Sequence, residues 1–274
     1  MSAESRVAGI EPVPGVAKPD AILIADGVRR AFGGLQAVDV GHVEIQRNTI
    51  TSLIGPNGAG KTTLFNLLTG FDKVDGGHWH LNGGALVGIP AHQVARKGMV
   101  RTFQLTRSLA RLTVMENMLF AAKDQRGESL VGALFGGWHQ TEDENEIRAR
   151  ELLERFDLAH MEDEYAGSLS GGQRKLLEMA RALMVEPEII MLDEPMAGVN
   201  PALTQSLLRH ITGLRDSGKT VVFIEHDMDV VQEISDWVIV LSEGRVIAEG
   251  PPETIARNPD VIDAYLGTHH GEVP

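Results

Sequence analysis

ITSLIGPNGAGKTTLFNLLTG, residues Ile50 to Gly70, is the stretch that decides the fold. Its β-branched and apolar opening (Ile50, Thr51, Leu53, Ile54) predicts a buried strand that breaks at Gly55. Thr62 to Leu68 then carries apolar residues at helical spacing up to a stop at Gly70, which predicts a helix. Between them, Gly55, Gly60, Lys61 and Thr62 complete the spacing G-x-x-x-x-G-K-[ST], with Pro56, Asn57, Gly58 and Ala59 inside it and Thr63 after it. Glycines let the backbone curl until its N–H groups, aided by a helix N-terminus, face an anion. In this pattern Lys61 reaches the β- and γ-phosphates of a nucleotide and the Thr62 hydroxyl ligates Mg²⁺. A glycine-rich turn that binds nothing is the plain alternative, but a strand before the loop and a helix after it favour nucleotide binding.

At 274 residues the chain can bury a full core, as one large domain or two small ones. Its 43% hydrophobic and 23% charged residues are those of an ordinary soluble globular protein. No apolar run approaches bilayer-spanning length and the N-terminus lacks the apolar core of a signal peptide, so the chain is expected to stay in the cytoplasm. The absence of cysteine excludes disulfides, thiolate metal sites and cysteine catalysis. A formal charge of −13 opposes non-specific binding to nucleic acid or anionic lipid. No nucleic-acid partner is therefore expected, and membrane association has to run through a protein partner.

Residues 1–20, rich in Ala, Pro and Gly and without hydrophobic period, are expected to form a loose arm. Ala21 to Gly70 reads strand, turn, strand, turn, strand, phosphate loop, helix, with Phe32-Gly33-Gly34 at the first turn. Phe32 either packs at a hairpin or offers its ring face to adenine. His78 and His80 flank Trp79 on a predicted strand ahead of the turn Asn82-Gly83-Gly84. They could share a metal, but with no third ligand evident nearby a solvated face is the better reading. His269 and His270, in a polar tail, read the same way. Arg101-Thr102-Phe103-Gln104 closes the first block, and the pattern then turns helical through Leu130 to Trp138 and Thr141 to Phe156. Thr141 and Glu144 suit a capping box, with Glu142 to Glu146 placing negative charge at the positive end of the helix dipole. The apolar patch Leu130, Val131, Leu134, Phe135 and Trp138 reads as core, with a partner-facing surface as the alternative.

Leu169-Ser170-Gly171-Gly172-Gln173 opens a helix that runs toward Pro187. Ser170 suits its N-cap, and the glycine pair with its free N–H groups makes a second anion site. Two such sites suggest one nucleotide held from both sides. The unbroken apolar run Ile189 to Leu192, ending in Asp193-Glu194-Pro195, predicts a buried parallel strand that delivers two carboxylates where open α/β sheets place active sites. Asp193 can serve Mg²⁺ while Glu194 faces an attacking water. Thr220 to Ile224 predicts a further strand ending at Glu225-His226-Asp227. Trp237 to Leu241, the turn Ser242 to Arg245, and Val246 to Glu249 predict a hairpin.

In order and type these motifs resemble those of the ATP-binding subunits of ABC transporters, over about residues 21–267. Leu169 to Gln173, lying between a phosphate loop and Asp193-Glu194, is the most specific marker. The wording RTFQ, LDEPMAGVNP, IEHDMDVV, GRVIAEG and DAYLG resembles the branched-chain amino acid uptake branch in particular. The resemblance implies an α/β fold: a P-loop NTPase core with a RecA-like sheet, an antiparallel β subdomain, and an α-helical subdomain inserted at about 105–186. The nucleotide-binding domain would span 21–250, followed by a C-terminal helix and polar tail at 251–274. ATP and Mg²⁺ are the implied cofactors. Gly55 to Thr63 would be the phosphate loop, Phe32 the adenine-stacking aromatic, and Gln104 the glutamine that touches Mg²⁺ and senses the membrane subunit. Ser170-Gly171-Gly172-Gln173 would reach across a dimer interface, Ser170 and Gly172 contacting the γ-phosphate. Asp193 would be the metal-side carboxylate, Glu194 the general base, and His226 the switch residue that contacts the γ-phosphate and positions water. The implied partners are transmembrane permease subunits, a second ATP-binding subunit, identical or related, and indirectly a solute-binding protein, at the cytoplasmic face of the cell membrane.

Two positions depart from the family pattern. Asn200 stands where the loop after the catalytic glutamate usually carries aspartate, and Arg47-Asn48-Thr49 replaces the usual turn with Pro and Gly. Asn48 can take a left-handed conformation and keep a hairpin. An ABC ATPase for another solute or for lipid export would show the same chemistry and is the nearer rival. An ABC-type ATPase acting on nucleic acid or the ribosome would carry a second motif set, a long coiled-coil insertion or a basic surface, and the sequence shows none of these. Intact Lys61, Glu194 and His226 argue against a non-hydrolysing regulatory module.

Overall fold

Ile50–Ile54 forms a strand buried along its whole length, and Lys61–Leu68 forms the helix after the glycine loop, as the apolar spacing predicts. The computed structural model describes residues 6–102, 109–122 and 138–267. Gln104, the apolar patch from Leu130 to Phe135, the side chain of Trp138 and the pair His269-His270 lie outside them. In chain order the elements of the first half are β1 (Ala21–Phe32), β2 (Leu35–Gln46), β3 (Ile50–Ile54), α1 (Lys61–Leu68), β4 (Gly76–Leu81), β5 (Gly84–Ala85), α2 (Ala91–Arg96), β6 (Met99–Arg101) and α3 (Val114–Phe120). The second half follows with α4 (Trp138–Arg155), α5 (Gly171–Leu183), β7 (Ile189–Asp193), α6 (Pro201–Asp216), β8 (Thr220–Ile224), α7 (Met228–Ile234), β9 (Trp237–Ser242), β10 (Arg245–Gly250), α8 (Pro252–Ile255) and α9 (Pro259–Gly267).

Strand β3 lies between β8 and β9, parallel to both, in a six-stranded sheet of order β10-β9-β3-β8-β7-β6. The predicted hairpin β9–β10 adds an antiparallel edge. Continuous apolar runs in β7 and β8 fit strands covered on both faces. The remaining strands form an antiparallel sheet of order β2-β1-β4-β5. Ile22, Val38 and Val40 of this sheet join Leu53, Met191 and Ile224 of the other, with Phe65 of α1, in one buried apolar cluster. Trp79 is buried there, its indole N–H donating to Leu68 O at 3.1 Å, while His78 beside it is exposed.

The chain divides into two compact units, one of Met1–Arg101, Glu188–Met196 and Ile211–Pro274, the other of Thr102–Pro187 and Ala197–His210. Both sheets belong to the first. In the second, α3, α4 and α5 pack on one another.

The structure corrects several expectations. Residues 6–20 of the expected loose arm are tied down. Gly15 and Val16 N–H donate to Glu249 Oε1 at 2.5 and 3.2 Å, and the Lys18 ammonium meets Glu249 Oε2 at 2.7 Å, with both side chains buried. Their partner lies 231 positions from Lys18, so no local pattern announces it. Asn48 does take a left-handed conformation (φ 56°), but β2 and β3 lie in different sheets, so it turns the chain from one sheet to the other rather than closing a hairpin. Helix α4 includes Trp138 to Arg155, which places Thr141 inside it and not at its cap. The C-terminal segment forms two short helices where one was expected. Asn258 accepts from Asp260 N–H at 2.9 Å and Pro259 begins α9, which together restart the helix.

Candidate functional site

The site grows from the end of β3. Gly55, Gly58 and Gly60 have φ of 146°, 79° and 96°, and a Cβ on Gly55 would sit 2.0 Å from Leu241 O, so only glycine fits there. Leu64 N–H donates to Gly60 O at 2.8 Å to start α1, and Gly244 N–H donates to Ala59 O at 3.0 Å, tying the loop to the β9–β10 turn. Asn57, Gly58 and Thr62 are exposed, Pro56, Lys61 and Thr63 half-buried. Lys61 Nζ donates to Gly55 O at 2.7 Å and Pro56 O at 2.9 Å, two of the three bonds an ammonium can donate. Burial lowers the Lys61 pKa, and the carboxylates of Glu194 and Asp193 oppose that shift. Leu53, Ile224 and Asp193 align across β3, β8 and β7, so the loop that carries this ammonium and the two strand-end acids leave the sheet at the same edge.

Strand β7 pairs with β8 in the register Asp193↔Ile224, and Glu194 N–H continues that pairing onto Ile224 O at 3.1 Å. Glu194 has φ 45°, a conformation that costs energy for a residue with a side chain and that neighbouring bonds have to hold. Asp193 is ion-paired with Arg101, their side chains 9% and 7% exposed, and Arg101 also donates to Asn66 of α1. Arg101 is a site residue that sequence reasoning missed. Its signal was a guanidinium closing the apolar strand Met99-Val100-Arg101, and that strand pairs with the one carrying Asp193. At the end of β8, Glu225 is buried and His226 is exposed, its side chain at 67%. Glu225 Oε1 accepts from Met196 N–H at 3.1 Å and Oε2 from His226 N–H at 3.2 Å.

Phe32 closes β1 with its ring largely exposed and the Arg30 guanidinium 4.5 Å from its centroid. In the second unit, Ser170 caps α5. Its Oγ accepts from Gln173 N–H at 3.3 Å while Gln173 Oε1 accepts from Ser170 N–H at 2.9 Å, a reciprocal capping box. Gly171 stands in open space, whereas a Cβ on Gly172 would overlap Leu203 of α6. Asn200 caps α6, its Oδ1 accepting from Leu203 N–H at 3.0 Å with Pro201 at the first helical position.

A sheet with a parallel core in which β3 feeds a glycine loop and lysine and β7, on the far side of β8, ends in paired carboxylates defines a P-loop ATPase. The family model for ABC transporters matches residues 38–197, and that for the branched-chain amino acid ATP-binding cassette transporter matches residues 245–271. The chain belongs to the ABC transporter family, as an ATP-binding subunit. Among its relatives, the high-affinity branched-chain amino acid transport ATP-binding protein BraF of Pseudomonas aeruginosa is 44% identical over 90% of this chain and 98% of its own length. The corresponding protein LivG of Escherichia coli is 45% identical over the same shares. The crystal structure of the ADP conformation of an ATP-binding cassette of an ABC transporter superposes with a TM-score of 0.79 at 35% identity, covering 90% of this chain and 99% of that one. A nucleotide-free cassette gives 0.78 at 36% identity, covering 89% and 98%.

Proposed function

We propose that this ATPase powers uptake of branched-chain or related amino acids, working as a head-to-tail pair with an identical or related ATP-binding subunit on transmembrane permease subunits. The observation that carries the chemistry is that Leu53, Ile224 and Asp193 align across β3, β8 and β7, so the Lys61 loop and the Asp193-Glu194 pair leave the sheet at one edge. The amino acid assignment rests on what the relatives transport by name and on the family match at residues 245–271. Asp193 and Thr62 offer hard oxygen donors of the kind Mg²⁺ takes alongside nucleotide phosphates, and they would hold it here. When bound, the cation would neutralise charge on the phosphates. Lys61 and the loop N–H groups orient the β- and γ-phosphates. Glu194 accepts the proton of the attacking water, and His226 at the neighbouring strand end contacts the γ-phosphate and positions that water. Phe32 stacks the adenine. Gln104, outside the described residues, would offer the cation a further oxygen donor and link the site to the permease.

The partner subunit's copy of the Ser170–Gln173 segment completes each site. Charge-assisted hydrogen bonds of about 1.5–3 kcal/mol each to the γ-phosphate then hold the pair closed until hydrolysis removes it. The helical insertion at about 105–186 would face the permease. Among the described residues no helix is long and apolar enough to cross a membrane, which fits peripheral attachment at the cytoplasmic face. A solute-binding protein would engage the permease from the other side.

The test is to purify tagged Glu194→Gln protein from its host in mild detergent with Mg-ATP and to identify what accompanies it. Polytopic membrane subunits are expected, and once reconstituted with wild-type ATPase they should give leucine-stimulated hydrolysis. A clean soluble dimer, or a ribosomal or DNA-repair partner, would contradict the proposal.

A further inference from the structure

We infer that Glu225 is a positioning residue for hydrolysis, a brace that fixes the backbone after Glu194 to the backbone of His226. The inference rests on the proposed roles of those two residues. Glu225 is 1% exposed, at the end of β8, and its two carboxylate oxygens are divided between two N–H groups. Oε1 takes Met196 N–H, two residues beyond Glu194, and Oε2 takes His226 N–H and lies 3.7 Å from His226 Nδ1. On the other side, Glu194 N–H is held by Ile224 O, the carbonyl just before Glu225. The strained φ of Glu194 is thus pinned from both sides by one strand end. A buried carboxylate is costly, and placing one here to accept two backbone N–H groups makes sense where the two segments have to stay in fixed relation. The base and the switch histidine then move together, and a small displacement of either lowers the rate far more than it lowers binding.

Glu225→Gln keeps the volume but turns an NH₂ group toward one of the two N–H donors, so one brace bond is lost. In the purified protein, with wild type and Glu194→Gln beside it, kcat for ATP hydrolysis should fall at least about tenfold. The Kd for ATP should stay within about threefold, and amide exchange in the peptide spanning 194–198 should quicken. A kcat within about twofold of wild type, a loss of ATP affinity as large as the loss of kcat, or unchanged exchange at 194–198 would overturn the inference. Glu225→Asp keeps the charge but cannot span both N–H groups, so it should show the same split at smaller size. A folded Glu225→Asp protein as fast as wild type overturns the inference even if Glu225→Gln fails to fold. If Glu194→Gln turns over normally, the fault lies instead with the proposed roles of Glu194 and His226.

Discussion

Arg101 shows how much of the site hangs on single side chains. Its guanidinium pairs directly with Asp193 in a setting where both are nearly out of solvent, so removing it strips that carboxylate of its hydrogen-bonded partner. Arg101→Ala should therefore destabilise the protein by about 3–5 kcal/mol in urea unfolding, and a loss under about 1 kcal/mol would mean the pair is solvated. Asn200 is the opposite case. It departs from the family's aspartate, but asparagine and aspartate cap a helix equally well, and the cap is in place. What the position has lost is charge alone. Asn200→Asp should change the cooperativity of hydrolysis with ATP concentration while ATP affinity stays within about threefold, and a large loss of binding would contradict this reading.

At the scale of elements, the phosphate loop was legible because its chemistry is encoded in adjacent residues: strand, glycines, lysine and helix follow one another without interruption. The β7 and β8 runs were legible for the same reason, their apolar continuity stopping where polar site residues begin. Pairings across strands were not legible. His42 on β2 lies between two carboxylates, Nδ1 at 2.5 Å from Asp26 on β1 and Nε2 at 3.1 Å from Glu44, and no motif in the sequence joins them. Burial works against its protonation, but the bonds and charges of Asp26 and Glu44 outweigh burial and raise its pKa above the ordinary histidine value. A raised folded pKa means that protonation favours the fold. The contribution is complete below the unfolded value of about 6.5 and is lost as pH rises through the folded pKa. His42→Gln should accordingly cost more stability at about pH 5.5 than at about pH 9, measured by thermal unfolding. Equal costs at both pH values would show that the ring only fills space.

For the molecule as a whole, the sequence's misreading of residues 6–20 has a definite cause. Composition without hydrophobic period describes a segment that cannot fold by itself, and Gly15 to Lys18 are instead held by a buried carboxylate on β10. The Trp237 indole N–H also donates to Glu249, at 2.8 Å, and its ring lies 4.3 Å from the Lys18 ammonium. Glu249→Ala should release the segment, seen as rapid amide exchange and proteolysis around Gly15 to Lys18. Unchanged protection there would mean that apolar packing alone holds it. The roles proposed for the helical insertion and for Ser170 to Gln173 involve more than one chain, so a single sequence conveys them only by resemblance. The claim on which everything else rests is that this chain hydrolyses ATP with Glu194 as base. The direct measurement is the steady-state hydrolysis rate of Glu194→Gln against wild type, with ATP binding followed in parallel. The rate should be lower by about 10²–10⁴-fold with binding retained, whereas undiminished turnover would show that another group activates the water.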